Sequence, residues 1–278
     1  MKIERTLSIM LFLCALAISV KAQSPTQNYV LSKDVLDVDG THAITTVTYY
    51  DGLGYPVETA TNGLGGTGKY AYTLLEHDAL GREKQSWLPG TQKDGCSFVV
   101  PSELSSSLIT FHKDRNPYSV NSYDALDRQV STLGAGESWH TAKKSIEQRY
   151  GSNEANSIKR YQVSGSGSLV ENGYYAANSL SMLEVTDEDG KTKQTFSDLF
   201  GNKVLERRDV DNDTYYVYDN IGHLRYVLSP SYQECSDLQK FGYEYRYDKY
   251  GRCVWKRLPG CEYQQMWYDA ADNLMFSQ

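Results

Sequence analysis

The chain has 278 residues and a formal net charge of −7, and 23 of its residues are tyrosine. This acidic balance argues against nucleic acid or another polyanion as a partner. The mean hydropathy of −0.54, combined with so many tyrosines, suits wide sheets of limited thickness, because tyrosine covers apolar area and keeps a polar hydroxyl.

The first 22 residues have the features of a signal peptide. Lys2 and Arg5 give a positive start, an apolar run follows over residues 7–20, and Val20-Lys21-Ala22 is a small-residue cleavage site. An uncleaved anchor is the alternative, although the run is short for a transmembrane helix. We therefore expect residues 1–22 to be removed and the mature chain to be exported, with no membrane contact afterwards. It would then be secreted, or held at the cell surface or in the periplasm.

Alternation of apolar and polar residues predicts a series of strands in the N-terminal half. These strands are Val30–Leu36, Thr45–Tyr50, Val57–Thr61, Tyr70–His77 and Arg82–Leu88. Between them, the glycine-rich residues 62–68 lack the Gly-Lys-Ser/Thr ending of a phosphate-binding loop, so they predict a mobile connection.

One short helix is predicted from Pro101 to Phe111, because proline suits the first helical position and Leu104, Leu108 and Phe111 share a face. The Gly/Ser-rich residues 164–168 predict a flexible loop further along.

These features divide the chain into three segments after the signal peptide. We place an N-terminal β domain at residues 23–163, a linker or loop at 164–178, and a repeat-rich β region at 179–278.

A short motif recurs seven times: tyrosine, aspartate, two variable residues, glycine and a polar residue. Its clearest copy is Tyr247-Asp248-Lys249-Tyr250-Gly251-Arg252, which follows the alternating residues 241–247. Aspartate can accept a hydrogen bond from the backbone two residues on, and glycine can take a positive φ, so each copy predicts the turn of a β-hairpin. Asp127 and Asp272 replace the glycine, and aspartate tolerates the left-handed region better than most residues. The predicted turn residues are Asp51, Gly54, Asp78, Gly81, Asp124, Asp127, Asp198, Gly201, Asp219, Gly222, Asp248, Gly251, Asp269 and Asp272.

These serial antiparallel hairpins predict an all-β fold, a curved and open sheet or partial shell with one short helix. The repeated motif resembles the YD repeats of Rhs-type proteins. Asn28-Tyr29-Val30, residues 49–57 and Trp87-Leu88-Pro89 resemble the domain of unknown function that begins many secreted Rhs-repeat proteins, and residues 136–140 and 186–190 are similar to further parts of that pattern. The resemblance covers nearly all of the mature chain.

Four cysteines remain after the signal peptide: Cys96, Cys235, Cys253 and Cys261. An oxidising compartment permits disulfides, and four cysteines allow three connectivities. Cys253 and Cys261 flank a turn at Pro259-Gly260 and are the candidate bridge, with free buried cysteines as the alternative. A zinc site is not expected, since the sequence has no Cys-x-x-Cys and no histidine pair at ligand spacing.

Other titratable residues do not converge on a catalytic pattern. His77 and His223 occupy repeat positions, and His140, next to Trp139, is the histidine we would test. The acidic residues 187–190 and 209–213 lack the twelve-residue loop of a calcium site and predict solvated turns. We therefore expect no enzyme activity, no cofactor and no metal.

The resemblance implies a structural role, because in full-length relatives the repeats form a hollow shell around a C-terminal toxin. This chain lacks the Asp-Pro pair of the self-cleaving core, so toxin or protease activity is not expected. It would be a truncated piece, or its partner domain would lie on another chain. We expect its open strand edges to pair with a further Rhs-repeat or core chain, or with another copy. The alternative is a recognition module that binds a cell-surface glycan through Trp87, Trp139, Trp255 and Trp267.

Overall fold

The computed structural model describes residues 26–39, 42–63 and 69–278. The predicted signal peptide and most of the glycine-rich loop lie outside these residues. The chain divides into two compact units: unit 1 contains residues up to 122 together with 133–143, and unit 2 contains residues 123–132 together with 144–278. This division does not coincide with the predicted boundary at residue 163.

Unit 1 is built on an antiparallel sheet. Its strands are β1 (Asn28–Val35), β2 (Ala43–Tyr50), β3 (Pro56–Asn62), β4 (Lys69–His77), β5 (Glu83–Trp87), β6 (Gly90–Asp94) and β7 (Tyr118–Tyr123). β1, β2, β3 and β4 pair in chain order, β4 then pairs with both β5 and β6, and β5 pairs with β7. Within the described part of unit 1, no pairing returns from β7 to β1, so this sheet is open.

A helix covers one face of the unit 1 sheet. α1 (Pro101–His112) begins with proline at its first turn and ends at Lys113, which has a left-handed backbone. Leu104 and Leu108 are fully buried against Tyr49, Tyr72 and Leu74. Phe111, which the sequence placed on the same face, is half-exposed.

Unit 2 is likewise built on an antiparallel sheet. After β8 (Gln129–Leu133), its strands are β9 (Ser145–Ser152), β10 (Lys159–Val163), β11 (Leu169–Tyr174), β12 (Ser181–Thr186), β13 (Thr192–Ser197), β14 (Lys203–Arg208), β15 (Asn212–Tyr218), β16 (Leu224–Leu228), β17 (Gly242–Tyr247), β18 (Cys253–Arg257), β19 (Tyr263–Tyr268) and β20 (Leu274–Ser277). β9 pairs with β12, and each strand from β12 to β20 then pairs with the next. The described part of this sheet is also open, since no pairing joins β20 to β9. The predicted all-β fold of serial antiparallel hairpins is confirmed.

The core of unit 2 forms where the β10–β11 hairpin packs on the sheet. Tyr161 of β10 meets Tyr215 of β15 edge to face, with ring centroids 5.1 Å apart. The hydroxyl of Tyr226 donates to the carbonyl oxygen of Gly167 at 2.7 Å, in the turn of the covering hairpin. Residues 164–178, predicted as a linker, therefore contain a turn and a paired strand. Their serines and glycines form the turn that joins β10 to β11.

The structure has more helical segments than the one predicted. In addition to α1 there are α2 (Glu137–Ala142), α3 (Pro230–Cys235) and α4 (Leu238–Phe241). All three are too short to show helical periodicity in the sequence. Among the described residues, no helix is long and apolar enough to cross a membrane.

Candidate functional site

The repeat turns share one hydrogen-bond pattern, shown by the Asp248 copy. The backbone N–H of Asp248 donates to the carbonyl of Arg252 at 3.0 Å, and the N–H of Gly251 donates to the carbonyl of Asp248 at 3.1 Å. One carboxylate oxygen of Asp248 accepts from the N–H groups of Tyr250 and Arg252, at 2.9 and 3.0 Å. Gly251 has a φ of +81°, so the loop is a tight turn that closes with a left-handed residue.

All seven predicted aspartates form this turn. In each, the N–H groups two and four residues on donate to the aspartate side chain. The residue three positions on has a positive φ, including +60° at Asp127 and +63° at Asp272. The turns with these closing residues are Asp51–Gly54, Asp78–Gly81, Asp124–Asp127, Asp198–Gly201, Asp219–Gly222, Asp248–Gly251 and Asp269–Asp272.

Two further turns have the same backbone pattern but were not predicted as repeat turns. Asp187 accepts from the N–H groups of Asp189 and Lys191, and Gly190 closes the turn. In the second turn, Ser164 takes the place of aspartate, and its hydroxyl accepts from the N–H of Ser168 at 3.1 Å. A search for Asp or Ser followed three residues later by Gly, with no tyrosine required, would have found both.

A β-bulge next to the turn distinguishes six of the seven repeats from these two turns. Next to the Asp248 turn, Tyr247 pairs with Cys253 but Arg246 pairs with Trp255, so Val254 is an extra residue. Register shifts occur at the matching position in β2–β3, β4–β5, β13–β14, β15–β16 and β19–β20. The pairing next to the Asp187 and Ser164 turns shows none. Because a bulge bends and twists its strand, these hairpins leave the regular ladder near their turns.

In three repeats of unit 2 the repeat tyrosine joins its hairpin to the one before it. In unit 2, three repeat tyrosine hydroxyls donate to a carbonyl five residues after the preceding repeat aspartate. The bonds are Tyr218 to Lys203 at 3.2 Å, Tyr247 to Leu224 at 2.9 Å and Tyr268 to Cys253 at 2.9 Å. Tyr150 of β9 makes the equivalent bond to Gln129 at 3.1 Å without belonging to a repeat. We call these four bonds the tyrosine stitches.

The final residue of the motif contacts both its own aspartate and the next aromatic ring. Arg252 donates to the second carboxylate oxygen of Asp248 at 2.7 Å, and its guanidinium carbon lies 5.2 Å from the centroid of the Tyr268 ring. Arg128 bonds its own Asp124 at 2.8 Å and lies 4.4 Å from the centroid of the Tyr150 ring. The arginine therefore neutralises the turn and covers the tyrosine that forms the stitch.

Two histidines stand in for motif residues and keep the same contacts. His223 takes the arginine position, and its ring stacks on Tyr247 with centroids 4.7 Å apart. His77 takes the tyrosine position and stacks on Tyr55, the last motif residue of the preceding repeat, at 5.3 Å. Both histidines therefore occupy the positions that the motif predicts for them.

Hydrogen bonds favour the ionised form of Asp78, Asp124 and Asp269. The side-chain hydrogen bond from Arg82 lowers the pKa of Asp78, and a backbone hydrogen bond from Arg128 lowers the pKa of Asp124. The side chain of Asn273 does the same for Asp269. Elsewhere, Glu206 is surrounded by Lys203, Lys193 and Arg208. Burial opposes its ionisation, but the hydrogen bonds from Lys203 and Arg208 lower its pKa to about 2.

The candidate disulfide between Cys253 and Cys261 is wrong. Both thiols are free. Cys253 is the first residue of the five-residue strand β18, and Cys261 lies beyond the far end of this strand, in the turn that follows. At about 3.3 Å per residue, this places the two cysteines too far apart for a bridge.

The tryptophans and His140 have separate surroundings. Trp87 is buried in unit 1, where it packs on Tyr118 with ring centroids 4.6 Å apart. The Nε2 atom of His140 lies 3.0 Å from the Tyr118 carbonyl oxygen, and the His140 ring meets the Tyr118 ring edge-on. In unit 2, Trp255 has Arg246 4.3 Å from its ring centroid and stacks on Tyr263. The four tryptophans are therefore divided between the two units. In the described part of the chain, no group of three or more His, Cys, Asp or Glu residues could hold a metal ion.

These features define a class: an antiparallel β protein whose serial hairpins turn at Asp-x-x-Gly motifs and are joined to one another by tyrosine hydroxyls. The turn aspartates and stitch tyrosines recur along a sheet and do not gather in one place. The candidate site is therefore the repeated contact between neighbouring hairpins.

Comparisons with known proteins agree with this class. A family described as Domain of unknown function (DUF6443) matches residues 19–152. No curated protein matches the sequence. The Photorhabdus luminescens Tc holotoxin pore with a mutated TccC3 is 12% identical with a TM-score of 0.54, and the match covers 90% of this chain and 12% of that chain. A crystal structure of TcdB2-TccC3-Cdc42 is 15% identical with a TM-score of 0.50, and the match covers 96% of this chain and 13% of that chain.

At these identities the likeness shows the fold alone. The chain spans about an eighth of the length of the chains it matches. The family match over residues 19–152 and the shared fold agree with the fold that the predicted resemblance implies.

Proposed function

We propose that this chain is a non-enzymatic structural protein. It would be exported, and its sheet of repeated hairpins would form a wall. The observation that carries the proposal is the set of tyrosine stitches, which join successive hairpins of unit 2 at the same place in the repeat. A catalytic or ligand-binding site draws its polar groups into one pocket. In this chain the recurring polar groups instead form hydrogen bonds that join one hairpin to the next.

The wall would form part of a larger enclosure. One matched structure is a holotoxin pore by name, and we propose that this chain likewise adjoins a further Rhs-repeat or core chain that surrounds a toxin. The last strand supports such an arrangement, because Leu274, Met275 and Phe276 of β20 are all more than half exposed. An exposed apolar edge strand favours the addition of another strand.

Hydrogen exchange tests the structural role. A wall should behave as one cooperative sheet, so Tyr247→Phe should speed amide exchange in both hairpins that its stitch joins. Tyr245→Phe is the matched control, since Tyr245 lies on the same strand and none of the described residues hydrogen-bonds its hydroxyl. Faster exchange confined to the 248–252 turn, with β15 and β16 unchanged, would contradict the proposal.

The absence of enzyme activity and of glycan binding needs its own test. We expect no turnover in a panel of glycoside, ester and peptide substrates, and no hits on a glycan array. Saturable binding or turnover that Trp255→Ala or His140→Ala abolishes, while the fold is retained, would replace the structural proposal with a recognition or catalytic one.

Export is proposed from the sequence of residues 1–22. A fusion of these residues to an alkaline phosphatase that lacks its own signal should be active outside the cytoplasm. Lys2→Glu with Arg5→Glu should reduce this activity, because the positive start orients the signal. An inactive wild-type fusion would rule export out.

A further inference from the structure

The residue two positions after each turn aspartate is exposed and, in most copies, apolar. Six of the seven tyrosine-aspartate repeats carry a large side chain there, with exposed fractions between 67% and 91%. These residues are Leu53, Leu80, Leu126, Phe200, Ile221 and Tyr250. In the seventh copy the position is Ala271. A soluble hairpin turn usually bears polar residues or glycine at such a tip.

The chain contains its own comparison for this position. The Asp187 and Ser164 turns have the same backbone hydrogen bonds, but they carry Asp189 and Ser166 at the tip. The turn geometry therefore does not require an apolar side chain. Since exposed apolar patches reduce solubility unless something covers them, the tips of the bulged repeats point to a contact surface.

In unit 2 the tips form a row. The Asp198, Asp219 and Asp248 turns join β13 to β14, β15 to β16 and β17 to β18. These are alternate connections of an antiparallel sheet, so the three turns lie at the same end of it. Neighbouring hairpins are two strands apart, which spaces their tips by about 9.5 Å. Leu199, Phe200, Ile221 and Tyr250 make up this tip row.

The tip row has no cationic excess. Asp248 pairs with Arg252 at 2.7 Å, and Asp219 lies 3.9 Å from Arg225. The carboxylate of Asp198 accepts from the side-chain amide of Asn202 at 3.0 Å. The row therefore has no surplus of positive charge to attract an anionic lipid surface.

The size of the row also suits a protein contact. An aromatic side chain can bury about 150–250 Å², and the row holds two aromatic and two aliphatic residues. Together they supply a large part of the roughly 800 Å² that each partner contributes to a standard interface. In a two-fold symmetric dimer the same surface of both copies forms the interface, so the side chains of one row can fit between those of the other.

We propose that the tip row is a dimerisation surface, at which Phe200, Ile221 and Tyr250 interleave with the same row of a second copy of this chain. This contact differs from pairing through the open edge of β20, because it uses the ends of the hairpins and not the backbone groups of an edge strand.

Sedimentation velocity of the full chain over a hundredfold concentration range tests the proposal. We expect the wild-type chain to dimerise. Phe200→Ser, Ile221→Ser and Tyr250→Ser together should weaken the dimer by on the order of a thousandfold, since burying each apolar side chain is worth about a factor of ten. Serine is chosen because Ser166 occupies the same position in the Ser164 turn. Circular dichroism should be unchanged, because all three side chains are exposed.

Two controls separate the tip row from other surfaces. Val210→Ser removes an equally exposed apolar residue at a turn on the opposite end of the sheet, and it should leave the dimer intact. Met275→Lys places a charge on the β20 edge and should also leave it intact. A monomeric wild type, a triple variant that still dimerises, or a dimer lost only in Met275→Lys would each overturn the proposal. Ile221→Asp, a single exposed substitution, provides a second variant that should dissociate the dimer.

Discussion

The hydroxyl of Tyr247 donates to the carbonyl oxygen of Leu224 at 2.9 Å, across the gap between two consecutive hairpins. Backbone pairing between β16 and β17 runs from Leu228 and Gly242 to Tyr226 and Glu244. Leu224 lies beyond that end. The stitch therefore supplies a hydrogen bond where the backbone ladder has ended, and the bulge beside each turn explains why the ladder ends there.

Removing this hydroxyl should loosen unit 2. Tyr247→Phe keeps the ring that stacks on His223 but leaves the Leu224 carbonyl without its donor. A hydrogen bond of this kind contributes about 1 kcal/mol, so we expect a fall of about 2–4 °C in the melting temperature of a unit of this size. Differential scanning calorimetry measures it. Tyr245→Phe should leave the melting temperature unchanged, and an equal loss in both variants would contradict the role of the stitch.

Glycine substitutions should separate backbone strain from steric overlap. Gly54 and Gly81 both lie in unit 1 turns, with φ values of +89° and +79°. A Cβ on Gly54 meets open space, whereas one on Gly81 would overlap the Tyr55 ring, which is stacked on His77. Gly54→Ala should cost about 1–2 kcal/mol from the left-handed backbone alone.

Gly81→Ala should cost clearly more than Gly54→Ala, because Tyr55 must also move off its stack. Urea unfolding of the two variants, followed through the fluorescence of buried Trp87, provides the comparison. Equal losses of unfolding free energy in the two variants would mean that the Tyr55 ring moves aside without cost. Gly54→Asn should be milder than Gly54→Ala, as Asp127 and Asp272 already accept this conformation.

Local signals explain how much of the fold could be predicted from sequence. The turns were predictable because an aspartate side chain and a glycine or aspartate at the closing position act within five residues. The strands followed from alternation, as in β17, where Gly242 and Glu244 are buried while Tyr243 and Tyr245 face the other side.

The remaining features depend on contacts that the local sequence does not contain. The acceptor of each repeat stitch lies 15 to 23 residues earlier, so its partner is known only once hairpins stack. Residues 187–190 were predicted as a solvated turn and residues 164–168 as a flexible loop, but the repeat geometry of both was not predicted, because neither matches the full motif with its stitch-forming tyrosine. The predicted Cys253–Cys261 pairing was wrong because residues close in sequence lie far apart in space when an extended strand runs between them.

Acid should destabilise the turns. Hydrogen bonds lower the pKa of Asp78, Asp124 and Asp269 below its value in the unfolded chain. Their contribution is therefore complete above about pH 4, the ordinary pKa of aspartate, and is lost as the pH falls below it. Asp78→Asn should reduce the acid dependence of unit 1, measured by urea unfolding at descending pH. An unchanged acid dependence in this variant would show that the turn carboxylate contributes nothing.

Glu58 should act in the opposite direction. It is fully buried in the unit 1 core, opposite Tyr49 on β2 and Leu74 on β4. Its described hydrogen bonds come from the N–H of Val99, at 3.2 and 3.3 Å. Burial raises its pKa from 4.5 to about 7, although the Val99 hydrogen bond opposes the shift. The folded state therefore holds a proton that the unfolded state releases between these two pH values.

The stability of unit 1 should consequently fall as the pH rises from about 4.5 to 7 and then level off. Glu58→Gln mimics the neutral acid and removes this dependence. At pH values above 7 the variant should be more stable than the wild type, by on the order of 3 kcal/mol at most. Near pH 4 the two should be similar, because both side chains are then neutral. Urea unfolding followed through Trp87 fluorescence at both pH values measures the difference. A Gln variant that is less stable than the wild type at alkaline pH would show that the Glu58 carboxylate is ionised and favourable in the folded chain.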